Sequence, residues 1–165
     1  MRIYFRQMEN GLKNNYIVHD DADNTIFTVQ KKLGAGGSVI MDSNGQEIGN
    51  VKCKFSLFSP KFVFYKRGEE IGSFCRKFAP GRQIVELDLC NWILSGNYTG
   101  REYKLLNEKR IPIAQVSRGH HTSYSESYAI DIRDEEHCLE ALMLVIALDT
   151  DKDIRDTKNN NRRRY

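Results

Sequence analysis

The chain has 165 residues, 40% of them hydrophobic and 28% charged, with three prolines and a formal net charge of +3. That length suits a single domain with one core, and the composition excludes a disordered or fibrous chain. The positive excess is small and scattered, so a dedicated nucleic-acid binder is not expected.

The first segment, Met1-Arg2-Ile3-Tyr4-Phe5-Arg6, has no apolar leader and no lipidation signal, which points to the cytoplasm; Ile3–Phe5 reads as a strand. An internal echo then dominates the sequence. Thr25-Ile-Phe-Thr-Val29, Glu47-Ile-Gly-Asn-Val51, Glu70-Ile-Gly-Ser-Phe74 and Pro112-Ile-Ala-Gln-Val116 share an isoleucine followed three residues later by Val or Phe, and basic residues come next. Each copy follows a turn, at Asp23-Asn24, Asn44-Gly45, Arg67-Gly68 and Asn107-Glu108, and each turn follows a β-rich run. The repeated unit is therefore a hairpin. A three-residue gap would put the shared Ile and Val on opposite faces of a regular strand, so either a bulge or a strand starting after the Ile is expected. Further strands at Ile84–Leu89, Ile93–Tyr98 and Tyr128–Ile132 bring the total to about a dozen short strands, an all-β organisation of barrel or sandwich type.

From Asp134 the pattern changes. Strong helix formers follow a capping Asp, and Cys138 to Leu148 is apolar on every side except at Glu140. A helix apolar all round must be enclosed, and eleven residues rise only about 16 Å, too little for a bilayer, so no transmembrane span is expected. Leu139, Leu142, Met143, Val145 and Ile146 are the expected core of this helix inside the β structure. The domain is placed at 1–150, and 151–165 reads as a polar, solvated and partly disordered tail, dispensable for folding.

The repeated hairpins, the segment Trp92-Ile93-Leu94-Ser95-Gly96-Asn97, then Ser127-Tyr-Ala-Ile-Asp-Ile132 followed by Ala141 to Asp149 resemble the LURP-one-related family. Leu94 stands where that family's W-x-I-x-G-[ND] pattern has Ile, and Ile93 occupies its free position. The resemblance spans nearly the whole chain except the tail. It implies a fold similar to the Tubby C-terminal domain and the phospholipid scramblases: a closed barrel of about twelve mostly antiparallel strands around a central hydrophobic C-terminal helix. A barrel wider than eight strands needs such a filler.

Residues that could carry chemistry are few. Cys53, Cys75, Cys90 and Cys138 form no C-x-x-C pair, which argues against zinc or a redox dithiol. Neighbours His120 and His121 point to opposite faces of an extended chain, and His19 and His137 lack metal or catalytic spacing, so no catalytic residue, metal or cofactor is assigned. Asp149, Asp151 and Asp153 imitate the start of a calcium loop, but Ile154 and Asn160 replace its Gly and Glu, leaving a solvated helix end. Gly34 to Gly37 lacks the Lys-Ser/Thr of a phosphate loop, and Asn97-Tyr98-Thr99 matches a glycosylation acceptor by chance.

The basic residues Lys31, Lys32, Lys52, Lys54, Arg76, Lys77 and Arg118 recur near the ends of equivalent strands. Closing the repeats into a barrel would gather them on one rim. Because Tubby-like domains bind phosphoinositide head groups, the resemblance implies anionic phospholipid recognition by these residues. Arg162 to Arg164 would reinforce attraction to a membrane or to nucleic acid, with little specificity. The plainer reading is that they solubilise strand edges. The expected function is thus a non-enzymatic intracellular binding or scaffolding module for lipid head groups or a protein partner, with a scramblase-like role and a hydrolase disfavoured.

Overall fold

The computed structural model describes residues 1–8, 15–32, 37–55, 59–118 and 128–162. His120, His121, Arg163, Arg164 and the glycine run 33–36 lie outside these residues. Twelve strands follow in order: β1 (Arg2–Gln7), β2 (Asn15–Asp20), β3 (Thr25–Lys31), β4 (Ser38–Asp42), β5 (Glu47–Phe55), β6 (Pro60–Lys66), β7 (Glu69–Ala79), β8 (Arg82–Leu89), β9 (Ile93–Asn97), β10 (Glu102–Leu106), β11 (Pro112–Arg118) and β12 (Tyr128–Ile132). A 3-10 turn at Glu135–His137, capped by Asp134, leads into helix α1 (Cys138–Arg162).

The strands form one antiparallel sheet in the order β8-β7-β6-β5-β4-β3-β2-β1-β12-β11-β10-β9. Pairing of β1 with β12, Arg2 opposite Asp131, bends the sheet into the expected barrel. Among the described residues the ring is closed everywhere except between its first and last strands, β8 and β9.

The four echoes share one geometry. In each hairpin the ladder skips a residue on the second strand, and the skipped residue is the shared isoleucine: Ile26, Ile48, Ile71 and Ile113. The bulge shifts the pleat by one, so Val29, Val51, Phe74 and Val116, three residues on, all turn into the core, and the isoleucines still pack against it. Of the two expectations, the bulge is the one realised. Three of these hairpins also share their turn chemistry. Asp20, Asp42 and Asn107 each accept backbone N–H bonds from the residues two and four further on, at 2.9–3.0 Å.

Helix α1 enters the barrel beside these tight turns and leaves at the opposite, exit end. From Cys138 to Asp151 every residue is buried, including the five expected core residues. Glu140, the one charge in the apolar stretch, is buried too, and Lys66 at the end of β6 donates to it at 2.5 Å. The expected tail differs from what is observed. The helix continues to Arg162, and Asp151, assigned to the dispensable tail, is 1% exposed. Polar sequence was read as solvated because the partners that allow Asp149 and Asp151 to be buried sit on distant strands.

Candidate functional site: the exit end of the barrel

In an antiparallel ring, the ends of β3, β5, β7 and β11 fall on the same side. All seven basic candidates therefore lie at the exit end, around the emerging helix. They separate into an inner and an outer layer.

The inner layer is already paired. Arg76 on β7 is 2% exposed and makes a two-pronged contact with Asp151, Nε and Nη2 each 3.1 Å from a carboxylate oxygen. Arg155, one turn on, also faces Asp151 at 3.2 Å. Lys31 lies 3.8 Å from Asp149 and 3.4 Å from Asp153, with its ammonium 4.9 Å from the centre of the Tyr16 ring. Burial alone would lower the Lys31 pKa, but Tyr16, Asp149 and Asp153 outweigh it and hold the group above its usual value. Asp149 is the hub of this layer. It also accepts from Arg101 at 3.1 Å and from the Tyr128 hydroxyl, and Arg101 stacks over the Tyr128 ring at 4.7 Å. Burial first, then Asp149, pushes the Tyr128 phenol well above its normal range; burial does the same to Tyr103. Sequence reading treated Asp149 and Asp151 as solvated and missed Arg101, Tyr16 and Tyr128. The only sequence signal was indirect: two acids continuing an apolar helix face need cations to meet them.

The outer layer faces solvent. Lys32, Lys54 and Arg118 are exposed. Exposed Lys52 has its ammonium 4.5 Å from the Tyr65 ring centre, and exposed Lys77 pairs with Glu86 at 2.7 Å. The ladder between β5 and β6 sets Lys54 directly opposite Lys61, and Phe55 opposite Pro60. Like charges placed opposite one another oppose pairing, and Phe55 next to them is 62% exposed. Lys61 and Phe55 were not among the sequence candidates, because neither sits in the repeated motif.

The opposite end carries Asp20, Asp21, Asp23, Asp134, Glu135 and Glu136 in its turns, so charge is polarised along the barrel axis. Among the described residues, no group of three or more His, Cys, Asp or Glu is placed to hold a metal ion, and no helix is long and apolar enough to cross a membrane.

A family model described as LURP-one-related matches residues 1–149. The chain belongs to the LURP-one-related family. Trp92, where the resemblance of the family's tryptophan segment began, is a buried core residue at the turn between β8 and β9, and its ring meets His137 edge-on at 5.3 Å. Among solved structures, the chain is similar to an X-ray structure of a protein from Arabidopsis thaliana, with a TM-score of 0.61 and 16% identity over 90% of each chain. At that identity the likeness carries the fold alone. No curated protein matches the chain.

Proposed function

We propose that this LURP-one-related protein is a non-enzymatic binding module that docks its exit end on anionic phospholipid head groups. The observation that carries this reading is the β5–β6 corner, where Lys54 faces Lys61 with exposed Phe55 alongside. An anionic surface relieves that repulsion, and an aromatic ring beside it suits the apolar edge of a bilayer. Lys32, Lys52 and Arg118 extend the cationic surface around the same end. Arg76 and Lys31 serve instead to hold α1, which narrows the seven expected contacts to the outer ones. A scramblase-like role would need α1 in the bilayer, whereas its apolar half fills the barrel.

Co-sedimentation with phosphatidylserine-containing vesicles and with pure phosphatidylcholine vesicles tests the proposal. The protein is expected to pellet only with the anionic vesicles, and to be released by salt. Each nearby basic residue contributes about 1 kcal/mol, so removing both charges in K54A/K61A should weaken binding roughly thirtyfold. No anionic-dependent pelleting at low salt would end the lipid reading.

A further inference from the structure

The seam between β8 and β9 departs from what its own turn specifies. Cys90 and Asn91, the two central residues between these strands, have φ of 51° and 54°, and the Trp92 N–H donates to the Leu89 carbonyl at 2.9 Å. Two successive positive φ values mark the type I′ turn, whose twist directs its flanking strands into a hairpin. The same chain shows the ordinary outcome. Arg67 and Gly68, with φ of 52° and 85°, join β6 and β7, which pair from Lys66–Glu69 down to Lys61–Cys75. Beyond the Cys90–Asn91 turn no ladder forms among the described residues, and β8 and β9 stay more than 8 Å apart, Cα to Cα, over nearly all their length. Paired strands lie about 4.8 Å apart, so the gap exceeds one strand spacing.

The walls of the gap have the chemistry of a half-finished sheet. On β8 the ladder to β7 turns Val85 and Leu87 inward, and on β9 the ladder to β10 turns Leu94 inward; all three pack against the core but are only partly buried, although their neighbours in it are fully buried. Gly96 on β9 has φ of 110°, and a Cβ there would meet the Glu102 carbonyl oxygen at 3.0 Å, so β9 lies close against β10 at this position. Outward positions of β8 carry Glu86 and Asp88, both exposed.

We propose that the seam is a strand-addition site, in which an extended peptide from a partner protein pairs with the free edge of β8. Its inward side chains are apolar, to cover Val85, Leu87 and Leu94, and its outward ones are basic, to face Glu86 and Asp88. Backbone hydrogen bonds supply the affinity and the alternation supplies the selection. A second copy of this chain fits the edge poorly, because an antiparallel β8–β8 pairing brings the two acidic rows together. The proposal is independent of lipid binding at the exit end.

Amide hydrogen exchange on the full chain, with a synthetic heptapeptide of alternating lysine and valine, tests it. The β8 amides that point into the seam should exchange at least about tenfold more slowly with the peptide present. A peptide with identical side chains but N-methylated backbone should have no effect. The variant E86K/D88K should lose the response and gain one to an alternating glutamate–valine peptide; both positions are exposed, and the Lys77–Glu86 surface pair contributes little to folding. Unchanged β8 exchange, equal effects from the methylated peptide, or protection mapping elsewhere would overturn the proposal. So would slowed β8 exchange that depends on protein concentration without peptide, which would assign the edge to a second copy.

Discussion

Arg76 on the inner face of the barrel wall and Asp151 on the enclosed helix are almost completely buried and face each other. A buried ion pair is costly to break because the remaining charge keeps its desolvation penalty without its partner. Arg76→Ala is therefore expected to destabilise by about 3–5 kcal/mol in denaturant unfolding, while the apolar double replacement R76M/D151L should cost far less. Equal losses in both variants would mean that packing, not charge, dominates the site. Lys31 gives a pH signature. Its folded pKa lies above the ordinary 10.5, so the stability it contributes is fully present below that value and fades as pH rises through the folded pKa. Lys31→Met should lower stability at neutral pH and flatten its loss on the alkaline side; an unchanged alkaline slope would remove Lys31 as the source.

At the scale of elements, α1 has two halves with different roles. Its length is about 37 Å, of which the buried part to Asp151 spans about 21 Å, similar to the height of a seven-residue strand. Ile154 in the next turn still packs against the core, and the residues from Asp156 to Arg162 are exposed. Ending the chain after Thr150 removes Asp151 and strands Arg76, so it should lower the thermal midpoint markedly, whereas ending it after Asp156 should leave the midpoint nearly unchanged. Similar midpoints for the two truncations would restore the view of a dispensable tail. The hairpins teach a related lesson. The three-residue spacing from isoleucine to valine contradicts a regular strand, which in sequence left a bulge and a late strand start equally open; the ladders decide for the bulge. Repetition of the spacing four times made the hairpins readable without any structure.

At the scale of the whole molecule, the barrel depends on one long-range junction, β1 against β12. Contacts so distant in sequence close slowly, because loop entropy must be lost before the ladder forms. Refolding is expected on a millisecond to second scale, and deleting residues 1–8 should prevent cooperative folding by breaking the ring between β2 and β12 and leaving each with one open edge. A cooperative transition in that deletion would show that the junction is not what holds the ring. The charge polarity belongs to this scale too. Strands of alternating direction bring every second strand end to one side, and only the ring gives those ends a common orientation.

The sequence by itself determined the strand repeats and the enclosed helix, because periodicity and local turn chemistry act over a few residues, and its motifs carried the resemblance to the family. It also marked the basic strand ends, since each lies at the same place in a repeated unit. Tertiary structure alone decided which of those cations turn inward. Arg76 meets Asp151 across 75 positions and Arg101 meets Asp149 across 48. The same is true of the seam, whose turn specifies a hairpin that the neighbouring ladders hold apart. Local rules state what each segment prefers; burial of charge and closure of a ring depend on partners far away along the chain.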